Sequence, residues 1–377
     1  MALTGIKVIE MLGSAPGPFC GTILADFGAT VTVVQKLGPS ALSTMCNGKR
    51  NISLNLKCKD GIEILKKLCA ASDVLIDTYR PGVLEKYGLG PEVLLKENKR
   101  LIYARLTGYG QHGLYKNKAG HEINYIAMSG LLAMFSKNDE PLQPPINLVA
   151  DFAGGSVLCA LGIILALLVR TKTGRGQIVD ASMTEGSAYV ASWLYKSRKL
   201  PIWRDEPDTN ILDGGAPFYA TYKTKDNKFM AVGALEPKFY HNLLKGLDLS
   251  EDIYTQDKMK LCLEKFTEVF LTKTQDEWYS IFKDLDACVT PVLDTKMAYT
   301  HECNSSRKSF YIDSENIIIP EPAPKLSVTP GSSSGKKMLP EGGQHTVDIL
   351  LELGYSIEKI KKLVKNNIVY TNNKSKL

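Results

Sequence analysis

Ile6-Lys7-Val8-Ile9-Glu10, followed by Met11-Leu12-Gly13-Ser14-Ala15-Pro16-Gly17-Pro18, a segment from Phe19 to Phe27 closed by Gly28, and Val31-Thr32-Val33-Val34, decides the fold class. The two β-branched apolar runs read as buried strands, the Gly/Pro cluster as a loop and the segment between as a helix. Strand, loop, helix and strand within about thirty residues form a βαβ unit, which predicts an α/β, Rossmann-like doubly wound parallel sheet. The dinucleotide fingerprint is missing. Only Gly13 and Gly17 punctuate the loop, and the second strand ends in Gln35-Lys36 with no acid to hold a ribose diol. NAD is therefore disfavoured, and Lys36 suits a phosphate better.

Working outward, Lys49-Arg50 leads into Asn51-Ile52-Ser53-Leu54-Asn55-Leu56, an edge-like strand with basic flanks. Gly61 to Ala70 reads as a helix, and Asp73-Val74-Leu75-Ile76-Asp77 and Leu101 to Leu106 as further strands. Tyr79-Arg80-Pro81-Gly82 is a turn at the carboxyl end of a parallel strand, the edge where such sheets bind ligands. A helix is expected from about Glu185 to Lys196, then a linker at 200–215 rich in Pro, Asp and Gly. Phe218 to Gly233 reads as a β-hairpin, Glu236-Pro237 as a helix start and Thr274-Gln275-Asp276-Glu277 as a capping box. The expected domains are 1–199, a large ligand-binding domain; 200–324, a smaller α+β domain with its linker; and 325–377, a return to the large domain ending in a tail. A last helix is expected at about Thr346 to Glu352.

Composition excludes several classes. With 44% hydrophobic and 23% charged residues the chain reads as globular. No apolar run of about 18 residues is expected to span a membrane, and Ser156 to Val169, stopped by Arg170, reads as a fully buried core helix. The eight cysteines show no C-x-x-C spacing and read as buried free thiols. His112, His241, His301 and His345 read as loop or surface histidines without a metal partner, so no metal site is expected. Residues 1–120 hold sixteen Lys and Arg against nine Asp and Glu, an excess suited to an anionic partner or to a solvated surface. No basic run interleaved with aromatics points to nucleic acid. The first residues lack a signal-peptide apolar core and an Arg-rich transit pattern, so a mitochondrial address has no support. Ser375-Lys376-Leu377, after a polar tail expected to be exposed, matches the tripeptide read by the peroxisomal import receptor.

The candidate chemistry lies at Ala119-Gly120-His121-Glu122-Ile123-Asn124-Tyr125 and Val149-Ala150-Asp151-Phe152-Ala153-Gly154-Gly155. Asp151 stands at the mouth of the apolar helix, where it reads either as an N-cap or as one member of a proton-transfer pair with His121. G-H-E-I-N-Y at 120–125 with A-D-F-A-G-G at 150–155 resembles CoA-transferase family III, the carnitine-CoA-transferase-like fold, and the likeness runs over nearly the whole chain. The resemblance implies an isomerase of lipid metabolism, interconverting (2R)- and (2S)-2-methylacyl-CoA thioesters of branched fatty acids and bile-acid precursors by 1,1-proton transfer through an enolate.

His121 and Asp151 would then be acid and base on opposite faces of the α-carbon, with Glu236 fixing the histidine. Substrate contacts carry over to Lys36, Ser53, Leu54, Asn55, Leu56, Arg80 and the segment Gly120, His121, Glu122, Ile123, Asn124, Tyr125. Where family members have Arg, Lys36 lacks the bidentate fork, and Asn55 replaces a frequent Asp. Backbone amides near Asp151 to Gly154 are candidates for holding the enolate oxygen. The family implies an interlocked homodimer and no cofactor, CoA being part of the substrate. Phe152 and the apolar helix would raise the Asp151 pKa, while the helix N-terminus would lower it. Two rival readings remain: CoA transfer with Asp151 as nucleophile, and non-catalytic acyl-CoA binding.

Overall fold

The computed structural model describes residues 1–39, 44–135, 141–203 and 209–377. It divides into two compact units. Unit 1 holds Met1–Leu131, Pro144–Ala191 and Ser305–Leu377; unit 2 holds Leu132–Gln143 and Ser192–Asn304.

Unit 1 is built on a seven-stranded sheet. Its parallel strands are β1 (Lys7–Met11), β2 (Thr30–Lys36), β3 (Arg50–Leu54), β4 (Val74–Asp77), β5 (Ile102–Thr107) and β6 (Ile178–Ser182), in the order β3-β2-β1-β4-β5-β6. The order reverses between β1 and β4, so the loops after these two strands diverge and leave a crevice at their carboxyl ends. The strands are nearly continuous apolar runs because helices cover both faces. The helices that matter here are α1 (Pro16–Asp26), α2 (Lys59–Ala70), α3 (Glu122–Met128), α4 (Leu158–Thr173) and α5 (Met183–Val190). Ile52 and Leu54 of β3 pack with Ile64 and Leu65 of α2 and with Leu350 and Ile360 near the C-terminus. Each such side chain contributes about 1.5–3 kcal/mol of burial.

Unit 2 carries a three-stranded antiparallel sheet in which the hairpin Tyr219–Lys223 and Phe229–Gly233 takes Val289–Pro291 on its outer side. Helices Pro237–Leu247, Met259–Phe270 and Gln275–Phe282 cover it, with Phe266, Phe270 and Trp278 at the centre of the core. The capping box expected at Thr274 is formed with Glu277.

Several expectations are corrected. The smaller unit ends at Asn304, not 324, because residues after Ser305 belong to unit 1: Tyr311 bonds Ser333, and Ser334 donates its N–H to Asp26 at 2.6 Å. Besides Leu132–Gln143 it takes the chain from Ser192 onward, and the helix expected over 185–196 breaks at Ala191 into α5 and Ser192–Lys196. Positions 204–208 of the expected linker lie outside the described residues. The edge-like strand β3 is interior, since Val369–Tyr370 pairs antiparallel with its Leu54 and Ser53. A second C-terminal helix, Ile357–Lys365, precedes that strand. The tail is not a loose one either: Thr371 is buried, Leu377 packs on the core and Lys376 pairs with Asp348 at 2.7 Å. His345 is half-buried and its Nδ1 accepts the Asn51 N–H at 3.3 Å. Five of the eight cysteines are buried, but Cys58 is only half-buried and Cys288 and Cys303 are exposed.

The largest correction concerns the apolar helix. A π-helical segment, Leu148–Val157, runs directly into α4. The continuous helix Leu148–Thr173 has 26 residues, long and apolar enough by length and composition to cross a membrane. Small residues Gly154, Gly155 and Ser156 disguised the uncharged run over 152–169. Nor is α4 fully buried. Ile163 and Leu167 pack inward, while Leu161, Ile164, Leu165, Leu168 and Val169 are exposed. Arg170 does not end it; its guanidinium is buried against Asp73 at 2.9 Å, and Gly174 closes the helix in the left-handed conformation.

The basic flank of β3 is also occupied from within. Lys49 and Glu10 form a fully buried ion pair at 2.8 Å, with the Lys49 ammonium also donating to the Pro18 carbonyl at 2.7 Å. Burial pushes the Glu10 carboxyl upward, against the opposing pull of Lys49. Lys49→Met therefore strands a buried acid and should cost about 3–5 kcal/mol. Urea unfolding of the variant reads this directly, and an unchanged midpoint would contradict it.

Candidate active site

The crevice between the carboxyl ends of β1 and β4 contains a cavity of about 160 Å³ lined by Gly17, Thr78, Arg80, Gly108, Gly120 and Tyr125 among others. Two predicted substrate residues of the 120–125 segment and Arg80 thus meet at one place. A Cβ on Gly17 would stand 2.3 Å from Thr78, so the β1 loop closes tightly on the β4 loop. Beneath the Arg80 turn, Asp77 is fully buried and accepts the Tyr79 N–H at 3.0 Å, with the Arg105 Nε 3.5 Å away. Desolvation pushes the Asp77 carboxyl up to about 6, the Tyr79 amide and Arg105 acting the other way. Nothing in the local sequence pattern separates Asp77 or Arg105 from ordinary strand residues.

His121 is the N-cap of α3. Its N–H donates to Asn124 Oδ1 at 3.1 Å, which leaves the imidazole exposed. Tyr125 is buried; its hydroxyl donates to the Gly120 carbonyl, and its ring meets Tyr109 edge-on at 5.2 Å. Desolvation raises its pKa to about 12, with Tyr109 and Asp151 adding and the Arg80 charge subtracting. Ile123 is exposed.

Asp151 lies in the first turn of the π-helical segment, half-buried, with Asn147 Nδ2 donating to its Oδ2 at 3.3 Å. Its carboxyl is raised above the ordinary range. Desolvation is the first cause; Asn147 lowers it, Glu122 raises it and His121 lowers it. His121 and Asp151, thirty positions apart in sequence, are therefore within electrostatic reach in one unit. Phe152, expected to supply apolar surroundings, packs edge-on against Phe19 at 5.2 Å. The backbone of this segment comes very close to α5: a Cβ on Gly186 would stand 1.9 Å from the Gly154 carbonyl oxygen, so only glycine fits there.

Glu122 behaves differently from a substrate contact. Its side chain is buried, and its Oε1 accepts the N–H groups of Val149 and Ala150 at 3.1 and 2.8 Å. Its Oε2 accepts those of Ala150 and Asp151 at 2.9 and 2.6 Å. The Asp151 amide, a candidate for the enolate oxygen, is already engaged. A capping acid three to six residues before its helix is recognisable in sequence; one 27 residues before it is not.

The remaining positions are less concentrated. Lys36 is exposed at the end of β2. Ser53 and Leu54 are buried, the Ser53 N–H donating to Thr346 Oγ1 at 3.3 Å and its hydroxyl to the Lys36 carbonyl at 3.1 Å. Asn55 turns its amide inward, accepting from Lys57 N at 3.0 Å and donating to the Asn367 carbonyl at 3.2 Å. Leu56 is half-buried against the core. The Ser53 and Asn55 amides are both engaged within the chain, the Asn55 N–H donating to the Ile368 carbonyl at 2.9 Å. Glu236 stands in unit 2 as the exposed N-cap of helix Pro237–Leu247. Among the described residues, no cluster of three His, Cys, Asp or Glu side chains is placed to hold a metal.

Residues 3–346 match the family described as CoA-transferase family III. The chain belongs to that family. It is 50% identical over 376 residues to the Alpha-methylacyl-CoA racemase of Mus musculus, covering 98% of each chain. It is 49% identical to the Homo sapiens protein of the same name, covering 99% of this chain and 98% of that one. The fold is that of a CAIB/BAIF family protein from Brucella suis, with a TM-score of 0.77 over 93% of this chain and 99% of that one at 22% identity.

Proposed function

We propose that the protein interconverts (2R)- and (2S)-2-methylacyl-CoA thioesters by moving a proton off and back onto the α-carbon through an enolate. What carries the reading is that His121 and Asp151 lie within electrostatic reach of each other in unit 1, with burial raising the Asp151 carboxyl above its ordinary range. A base on one face and an acid on the other is what inversion of that carbon demands. Half-identity to relatives named Alpha-methylacyl-CoA racemase supports the same chemistry. The CoA moiety belongs to the substrate, and proton transfer of this kind calls on no metal or organic cofactor. A transferase nucleophile would want Asp151 ionised, and it has no use for a base at position 121.

The exposed apolar face of α4 is the surface we assign to a second copy of the chain, burying Leu161, Ile164, Leu165, Leu168 and Val169. Glu236 would then complete the site by holding the His121 imidazole. Ser375-Lys376-Leu377 is assigned to the peroxisomal import receptor, and binding there would first release the exposed Lys376–Asp348 pair, a cost under about 1 kcal/mol.

Four outcomes follow. Either enantiomer incubated in deuterated water should take up label at the α-carbon, and His121→Ala and Asp151→Ala should each slow exchange about 10²–10⁴-fold. The direction that uses Asp151 as acid should lose rate as pH rises through its raised pKa, and the reverse direction as pH falls through it. Wild-type exchange in both variants, or an enzyme-bound thioester trapped by hydroxylamine, would favour the transferase. Mixing inactive His121→Ala and Glu236→Ala chains should restore activity by creating one intact shared site; no recovery after subunit exchange contradicts the shared site. A fluorescent fusion to the N-terminus should be peroxisomal and become diffuse when Leu377 is removed; unchanged distribution contradicts the address.

A further inference from the structure

We propose that Glu122 is a positioning residue that locks Asp151 in place and keeps a negative charge beside it, without touching the substrate. The inference rests on the racemase reading above and adds to it a residue whose work is done through the helix start.

A helix beginning at Leu148 presents unpaired backbone N–H groups, and their partial positive charge would favour an ionised Asp151 in the first turn. Glu122 occupies that end. Its two oxygens accept the amides of Val149, Ala150 and Asp151, all at 2.6–3.1 Å, from a side chain only 6% exposed. The same carboxylate acts on Asp151 as a like charge. One residue thereby fixes the Asp151 backbone and cancels the dipole that would keep its carboxyl ionised.

The surroundings leave this role to few groups. Desolvation acts in the same direction as Glu122, whereas Asn147, from the segment itself, and His121, from the start of α3, act oppositely. Tyr125 on α3 faces Asp151 and is itself pushed upward by it. The charged side chains on the other elements packed here are Asp26 on α1, Arg105 on β5, Asp180 on β6, Arg170 and Lys172 on α4 and Glu185 on α5; none contributes to the balance at Asp151. A purely structural tether would hold the helix without moving the proton affinity of Asp151, so the two roles separate experimentally.

The test is Glu122→Gln in the full-length enzyme, read by α-deuterium exchange across pH. The amide keeps the size of the side chain but loses the charge and can no longer accept with both ends. The expected result is kcat lower by about 10- to 100-fold with KM unchanged, and the pH–rate limb of Asp151 moved to lower pH. Glu122→Asp retains the charge on a shorter arm: it should keep the limb near its wild-type position while kcat falls. If Glu122→Gln does not fold, Glu122→Asp alone decides, and wild-type kcat in it overturns the proposal. Unchanged kcat and an unmoved limb in a folded Glu122→Gln enzyme overturn it too. Failure of the wild-type protein to exchange its α-hydrogen would instead refute the racemase reading itself.

Discussion

A single buried carboxylate ties the two halves of the candidate site together. Ala150, in the first turn of the Leu148–Thr173 helix, is fully buried, where unpaired N–H groups are costly, and Glu122 is the group that accepts the amides of Val149, Ala150 and Asp151. His121 is the neighbour of Glu122 along the chain; Asp151 is one of its hydrogen-bond partners. The backbone stretches that carry the imidazole and the acid are therefore linked through one side chain by buried charge-assisted contacts.

The rest of unit 1 holds that arrangement. Strand order reverses between β1 and β4, which leaves a crevice at the carboxyl edge of the sheet with Gly17 and Thr78 in its lining. Gly154 and Gly186 let the π-helical segment lie backbone to backbone on α5. Ser156, fully buried, donates its hydroxyl between the carbonyls of Asp151 and Pro16, each 2.8 Å away, and so ties the same segment to the first residue of α1. π-Helical turns are frequent at functional sites because the extra residue per turn re-aims a side chain. Here Asp151 stands in the first turn of such a segment.

Much of this was legible in residue order, for physical reasons. Alternation between short β-branched runs and helical segments announced the doubly wound sheet, since each element's period depends on its own residues. The capping box at Thr274 and the hairpin turn after Lys223 are likewise local. The strand Val369–Tyr370 was not legible: two residues carry no period, and they pair only because β3 offers its edge. Domain limits were misplaced for the same reason, as residues 305–324 fall in unit 1, where Tyr311 bonds Ser333 and the adjoining Ser334 bonds Asp26 far away in sequence. The burial of α4 was over-read because hydrophobicity alone does not say which face meets the sheet.

Residue order by itself determined which chemical groups exist, which stretches form strands and helices, and that His121 and Asp151 carry the types needed for proton transfer. Those properties are set by side-chain chemistry and by contacts within a few positions. Tertiary structure alone decided that Glu122 reaches the Val149 amide 27 positions away, that the amides of Ser53 and Asn55 are engaged, and that desolvation is the largest influence on the Asp151 carboxyl and raises it. A pKa and a hydrogen-bond partner depend on what surrounds a group in space, and only the folded chain defines those surroundings.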